Sequence, residues 1–209
     1  MGPRSTELMT QPARKIATAH RGSGTLLHQV MPEFDFGNRH EIVVAAPLAR
    51  VSEAAEAYRP DSSPLFSVLF WLRGLGKAPG TLRASMSASG FTLLGERPGE
   101  EIALGNTGRF WALDERGSMR SVRDRQAFVD FNRPGWAKAA VSLRFEALSE
   151  TATRISTETR VQCADAAAYR RFALYWALIR PFSGWLRHDM LRGVRRHALG
   201  LRGHNCGRT

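Results

Sequence analysis

Residues 166–199 read AAAYRRFALYWALIRPFSGWLRHDMLRGVRRHAL, and this stretch decides the fold. Large apolar side chains recur in it at steps of three and four residues, which is the period of an amphipathic helix. They are Phe172, Tyr175, Trp176, Ile179, Phe182, Trp185, Leu186, Met190 and Val194. Pro181 interrupts this pattern without ending it, so we expect one long helix with a kink at the proline. A stripe of this width predicts burial against another element of the fold.

The opposite side of the same helix is rich in arginine. Its members are Arg170, Arg171, Arg180, Arg187, Arg192, Arg195 and Arg196. We expect their aliphatic stems to lie over apolar surface while the guanidinium groups stay in water. Residues 165–209 hold nine arginines and two aspartates, whereas residues 34–164 are nearly neutral. The net charge of +11 therefore belongs mainly to the C-terminal part of the chain.

Two interpretations of this charge stay open. Arginine bias follows from a GC-rich coding sequence without any binding function, and most basic helix faces are simply solvated. The alternative is a surface that binds anions. For that alternative an anionic membrane surface is favoured over nucleic acid, because no nucleic-acid-binding motif accompanies the charge.

Length and composition predict a single domain. A chain of 209 residues with 43% hydrophobic content can bury one substantial core. Residues 1–33 have no sustained period and are predicted to be a disordered extension, with the natural start at or near Met31. The domain is expected to cover residues 34–199, followed by a flexible tail at residues 200–209. No apolar run predicts a membrane span or a secretion signal, so the expected location is the cytoplasm, where Cys163 and Cys206 would be reduced thiols.

The first half of the domain alternates between strand and helix signals. Residues 40–46 are rich in β-branched residues, and Pro47 ends this strand and starts a helix that runs to about Ala57. Residues 64–75 carry a second helical pattern, which is closed by glycines. Residues 77–90 are predicted to be a loop.

The second half, up to the long helix, is predicted to be antiparallel strands. Three short strands are expected at residues 91–96, 101–104 and 109–113, with turn signals at Pro98-Gly99 and Gly105-Asn106. The clearest pair follows at residues 138–148 and 153–163, where apolar and charged side chains alternate with period two. Ile155, Thr157, Thr159 and Val161 share one face, and Arg154, Ser156, Glu158 and Arg160 share the other. The register between the two strands stays open.

These elements predict an α+β fold. A curved antiparallel sheet of about six to seven strands, with two short helices after the first strand, would bury the aromatic stripe if the long C-terminal helix packs across its concave face. With Ile42, Ala46-Pro47 and Val51 near its start, this order resembles the START-related helix-grip superfamily, also called SRPBCC or polyketide cyclase/dehydrase-like. Four further segments are similar to an actinobacterial branch of that superfamily with no established activity. They are Phe128-Val-Asp-Phe131, Pro134-Gly135 with Ala137-Lys138, Thr157-Glu-Thr-Arg160, and Phe172 through Tyr175-Trp176 to Arg180-Pro181.

The resemblance, over residues 34–199, implies a cavity between sheet and helix that accommodates lipids, polyketides, hormones or other apolar molecules. Aromatic side chains are the candidates to line it, with ordinary core packing as the alternative. They are Trp71, Phe110, Trp111, Phe128, Phe131, Trp136, Tyr175 and Trp176. Thr157 and Thr159 would orient a ligand oxygen by hydrogen bonding, unless they are there because threonine favours strands.

Acid–base chemistry in such a cavity would need Glu158, Asp130, Asp124 or His40 inside it. Glu158 is expected to pair with arginine instead, and His40 is expected at the surface. His188, His197 and His204 belong to the basic C-terminal part. No metal-ligand spacing and no nucleotide-binding or serine-hydrolase motif occurs, so no cofactor is expected.

The sequence therefore favours binding of an apolar small molecule, such as a lipid or a polyketide-like compound. Two alternatives remain from other functional classes. One is an enzyme of the cyclase or dehydratase kind acting in the same cavity, and the other is peripheral membrane association through the basic C-terminal helix. Fold analogy by itself does not choose among them.

Overall fold

A computed structural model describes residues 24–60, 80–112 and 119–200. The elements in chain order are α1 (Leu26–Val30), β1 (Phe36–Val44), α2 (Leu48–Ala57), α3 (Leu82–Ala88), β2 (Thr92–Arg97), β3 (Glu101–Gly108), β4 (Met119–Arg120), α4 (Arg125–Val129), β5 (Ala137–Ser149), β6 (Ala152–Cys163) and α5 (Ala166–Ala198). The predicted helix at residues 64–75, including Trp71, lies outside the described residues, as do Cys206 and His204.

The strands form one antiparallel sheet in the order β1-β6-β5-β3-β2, with β4 paired to β3. The hairpin of β5 and β6 is confirmed, and its register places Val141 opposite Thr159 and Glu146 opposite Arg154. Arg154 Nη1 lies 3.1 Å from Glu146 Oε2, which is a cross-strand ion pair on the charged face. The sheet is curved and α5 packs across it, so the predicted fold class is confirmed.

The inner face of the sheet is covered by α2 and α5. Val44, Val51, Ile155, Leu191 and Val194 are fully buried there and form one core cluster. Because successive side chains point to opposite faces of a strand, this face is also the one that carries Thr157 and Thr159.

The outer face of the sheet is covered by α1 and α4, which the sequence did not predict. Leu26 and Leu27 of α1 pack with Phe128 of α4 in a second core cluster, and the Leu26 N–H donates to Glu101 Oε2 at 2.9 Å. The prediction of disorder up to residue 33 is therefore wrong for residues 24–33. A helix of five residues is too short to show a period, and its stability comes from this tertiary contact. Met31, the expected start, is itself buried in the same cluster.

Two local predictions between residues 77 and 113 are also wrong. The predicted loop contains α3, whose first turn is capped by Thr81. The predicted strand at 109–113 is a turn in its described part, where the Ala112 N–H donates to the Arg109 carbonyl at 2.8 Å. The residues just before it form β3, which continues to Gly108 without the expected turn at Gly105-Asn106.

Gly105 is explained by packing rather than by a turn. A Cβ atom at this position would lie 2.6 Å from Leu94 Cδ1 and 2.7 Å from Phe128 Cε2. The missing side chain is what allows α4 and β2 to close over the outer face of β3.

Helix α5 runs for 33 residues and continues through Pro181, with Asp165 as its N-cap. Its stripe is buried at both ends, where Phe172, Met190 and Val194 pack into core clusters. Between them, Phe182 and Trp185 are exposed, and the remaining apolar side chains of the stripe are only half-buried. Continuous burial of the stripe was thus the wrong expectation for the middle of the helix. The half-buried side chains line a cavity instead of resting on the sheet, whereas Trp185, about 180° around the helix from Trp176, faces away from that cavity.

Candidate ligand-binding cavity

The cavity lies between the inner face of the sheet and α5, and α2 and α3 contribute to its wall. Its volume is about 590 Å³. The sheet supplies an apolar floor that includes Leu104, Val141, Leu143 and Val161. The helix supplies Tyr175, Trp176, Ile179, Leu186 and Met190. A concave, mostly apolar space of this size is typical of small-molecule sites.

Arg187 is the one cation that α5 directs into this cavity beside the strand threonines. Its Nη1 donates to Thr157 Oγ1 at 3.0 Å, and its Nε is buried without a hydrogen-bond partner. Burial lowers the pKa of Arg187 to about 10. The expectation that its guanidinium stays in water is wrong. At about 100° per residue, a position eleven residues after Trp176 returns to within about 20° of it, on the inward side of the helix.

Two further buried polar atoms facing the cavity have no hydrogen-bond partner. They are Thr159 Oγ1 and Asn106 Oδ1 on the inner face of the sheet. Glu101 Oε1 is also buried without a partner, but its carboxylate is on the outer face, where Oε2 accepts from the Leu26 N–H. Buried polar groups are normally paired, so unpaired atoms that line a cavity call for an explanation. Asn106 is two strands away from Thr159 and offset by two residues along them, which separates the two positions by roughly 12 Å. The cavity therefore has polar groups at two ends of an apolar floor.

His40 lies on the inner face of β1, opposite Thr157, and is half-buried rather than at the surface as expected. Its ring makes an edge contact with His188, with 4.7 Å between the ring centroids, and its Nε2 is buried without a partner. Desolvation lowers the pKa of His40, and the neighbouring His188 and Arg187 lower it further. Arg187, Thr157, His40 and His188 thus form a polar cluster between α5 and the edge of the sheet.

None of the four acid–base candidates is among the residues that line the cavity, and the other three lie farther from it than His40 does on the inner face. Glu158 lies on the outer face, where its Oε1 accepts a hydrogen bond from Arg160 at 2.7 Å, as its predicted pairing with arginine required. Asp124 caps α4 by accepting from the Ala127 N–H at 2.8 Å, and this bond is the main reason why the pKa of Asp124 is lowered. Asp130 accepts from Gln126 at the surface.

The aromatic candidates are divided between different parts of the fold. Phe110, Tyr175 and Trp176 line the cavity, and Trp111 packs next to it against Phe172. Phe128 is fully buried in the outer-face cluster. Phe131 and Trp136 contact each other beside a separate polar cavity of about 300 Å³. Of the polar candidates, Thr157 and Thr159 line the main cavity.

Three residues that matter here were not among the candidates. Arg187 was grouped with the solvated arginines by residue type, although its helical position predicts the inward side. Asn106 was interpreted as a turn residue. Glu101 is a buried carboxylate that binds the first N–H of α1 and lies 3.5 Å from Arg97, and no sequence pattern links it to residue 26.

Within residues 24–60, 80–112 and 119–200, no group of three His, Cys, Asp or Glu side chains is arranged to hold a metal ion. No helix in the same part of the chain has the length and apolarity that a membrane span needs. Cys163 is buried and forms no disulfide there.

Comparison with known proteins yields structural likenesses only. No family model and no curated protein matches the sequence. A conserved protein from Geobacillus kaustophilus is similar over 79% of this chain and 96% of its own, with 8% identity and a TM-score of 0.40. The Zhui aromatase/cyclase from Streptomyces sp. R1128 is similar over 82% of this chain and 98% of its own, with 14% identity and a TM-score of 0.32. A hypothetical protein from Helicobacter pylori gives 9% identity and a TM-score of 0.36, over 82% of this chain and 92% of its own. These likenesses assign no activity to this chain.

Proposed function

We propose that this protein binds an apolar small molecule, lipid-like or polyketide-like, in the cavity between the sheet and α5. The observation that carries the proposal is the apolar cavity of about 590 Å³ under a helix whose cavity-lining Tyr175 and Trp176 are only half-buried. Protein interiors are normally close-packed, and large apolar side chains left beside an empty space favour a bound occupant.

Titration with the neutral fluorescent probe N-phenyl-1-naphthylamine tests the proposal. The wild-type protein should bind it with a stoichiometry of one. Val141→Trp places a large side chain on the cavity floor and should abolish binding, whereas Glu150→Trp, in the exposed turn of the same hairpin, should leave it unchanged. Equal binding by the wild-type protein and Val141→Trp would show that the probe binds elsewhere and would reject the proposal.

Catalysis by a cyclase or dehydratase is the weaker alternative. It needs an acid or base that reaches the ligand, and Glu158, Asp124 and Asp130 lie outside the cavity. Among the four predicted residues, His40 alone lies on the inner face of the sheet. An enzymatic mechanism that uses these predicted residues would therefore depend on His40.

An exposed apolar row on α5 favours a second candidate function, association with an anionic membrane surface. Leu174, Leu178, Phe182 and Trp185 follow one another at steps of four, four and three residues, and their exposed fractions are 79%, 68%, 48% and 60%. Exposed arginines, including Arg171, continue the same side of the helix. An apolar row flanked by cations matches the interface of an anionic bilayer.

Sedimentation with phosphatidylglycerol vesicles and with neutral phosphatidylcholine vesicles tests this second candidate. The wild-type protein should sediment with the anionic vesicles and lose this binding as salt increases. Replacing Leu178 and Trp185 together by serine should remove it. Equal sedimentation of the double variant, or equal binding to neutral vesicles, would contradict the role assigned to this row and its charge.

A further inference from the structure

We propose that the ligand of this cavity is an apolar carboxylic acid, and that its carboxylate pairs with Arg187. This inference rests on the proposed binding function and adds the chemical class of the ligand. It follows from the position, the free donors and the surroundings of one guanidinium group.

The first step is the unpaired charge. Arg187 donates a hydrogen bond to the hydroxyl of Thr157, which carries no charge. Among the described residues, no carboxylate forms an ion pair with this arginine. A buried cation without an opposite charge is strongly unfavourable, whereas most surface arginines have water around them. An anion supplied from outside the chain removes this imbalance.

The second step is the geometry of the donors that remain. With Nη1 bonded to Thr157, the Nε and Nη2 donors of Arg187 make no hydrogen bond within the described residues. These two groups form one edge of the planar guanidinium, and their spacing matches the two oxygens of a carboxylate. A carboxylate at this edge would satisfy the buried Nε.

The third step is the set of groups around that edge. Thr159 lies two residues from Thr157 on the same face, and its buried hydroxyl has no partner. The floor beside it is apolar, and the charged residues elsewhere in the cavity wall include Arg83 and Glu96, which pair with each other. One charged group at Arg187 and an apolar body on the floor therefore describe the complementary molecule. A doubly charged or strongly polar ligand would leave its other charges against Val141 and Leu143.

Displacement of N-phenyl-1-naphthylamine by a matched pair of competitors tests the inference. The pair is dodecanoic acid and methyl dodecanoate, used below the micellar concentration at a mildly alkaline pH where the acid is ionised. The acid should displace the probe at a concentration at least about tenfold lower than the ester, since a charge-assisted hydrogen bond contributes that factor or more.

Variants assign this preference to the arginine. The Arg187→Met variant should still bind the neutral probe. The acid and the ester should displace the probe from this variant at equal concentrations. Arg187→Lys keeps the charge and should retain part of the preference, whereas Arg180→Met, at an exposed position of the same helix, should retain all of it.

The outcomes separate this inference from the proposed function. A wild-type protein that binds the probe but does not distinguish acid from ester overturns the inference and leaves the binding function standing. A preference for the acid that survives in Arg187→Met also overturns it, because the anion would then be recognised elsewhere. Absence of probe binding by the wild-type protein would reject the proposed function itself.

Discussion

Replacing Arg187 by methionine should stabilise the unliganded protein. Methionine has a similar length, is flexible enough to follow the same space between α5 and β6, and carries no charge. The substitution removes a cation whose Nε is buried and which has no counter-ion among the described residues. Most substitutions of a buried, hydrogen-bonded residue destabilise a protein, so the expected sign is unusual.

The magnitude follows from the pKa of Arg187. Burial lowers it well below its ordinary value, to about 10, and at about 1.36 kcal/mol per pKa unit the charged form is disfavoured in the folded state by about 3 kcal/mol. Because the folded-state pKa is below the unfolded one, this destabilisation is fully present below a pH of about 10 and is relieved as the pH rises above that value towards the unfolded-state pKa. Losing the hydrogen bond to Thr157 offsets about 1 kcal/mol, which leaves a net stabilisation of about 2 kcal/mol.

Urea denaturation of delipidated protein at neutral pH measures this difference. Arg187→Met should raise the unfolding midpoint, and Arg180→Met should leave it nearly unchanged because that arginine is exposed. Thr157→Val should lower it, since the guanidinium would lose the hydrogen bond that Thr157 accepts. A lower midpoint for Arg187→Met than for the wild-type protein would refute the reasoning, because Arg187 would then contribute net stability to the unliganded fold.

Two other predictions concern packing and pH. Gly105→Ala should destabilise the protein by about 1–3 kcal/mol in urea denaturation, because the new Cβ would lie 2.7 Å from the fully buried Phe128. The control is Gly24→Ala, where no atom lies within 4 Å of the new Cβ, and it should change stability by less than about 0.5 kcal/mol. Equal effects would contradict the packing explanation. The pKa of His40 is lowered from 6.5, so the folded state loses stability as the pH falls through 6.5, and His40→Gln should make this loss shallower. A pH dependence of unfolding identical to that of the wild-type protein would show that His40 does not titrate differently in the folded state.

The elements that were predictable from the sequence are those whose period is long and whose burial is one-sided. The β5 and β6 hairpin alternates over more than ten residues, and one buried face specifies which side chains point inward. Helix α5 repeats its apolar pattern over 33 residues, long enough for the period to survive Pro181. In both elements the local pattern and the tertiary packing favour the same conformation.

The elements that were not predictable depend on contacts between distant parts of the chain. Helix α1 has five residues, and the hydrogen bond from the Leu26 N–H to Glu101 joins positions 75 residues apart. Gly105 reads as a turn signal when only its neighbours are considered, because the groups that require a glycine there, Leu94 and Phe128, come from two other elements. Local propensity contains no information about such partners.

Arg187 is a different kind of error, because its position was predictable. Because Arg187 is an arginine, it was assigned to the solvated face of α5. Its spacing from Trp176 places it on the inward side of the helix instead. Burial of a charged residue is not by itself a functional signal, because Arg160 and Glu101 are also buried and hold the N-terminal segment through hydrogen bonds to Met31 and Leu26. Arg187 differs from them because its buried Nε has no partner.

Ordinary core packing, the alternative to a binding site, makes its own prediction for this region. A filled core would bury the middle of the α5 stripe, would exclude an unpaired arginine, and would leave no hydroxyl or amide oxygen without a partner. The structure departs from all three expectations around one cavity: Trp176 is half-buried, Arg187 has a buried free Nε, and Thr159 and Asn106 have unpaired oxygens. At the two ends of the same helix, where Phe172 and Val194 pack, the apolar stripe is buried as a filled core requires. Three unpaired buried atoms beside a half-buried apolar stripe are what a site built to be completed by a ligand should show, whereas His28 Nδ1 and Glu101 Oε1, which are also unpaired, lie at α1 on the other side of the sheet.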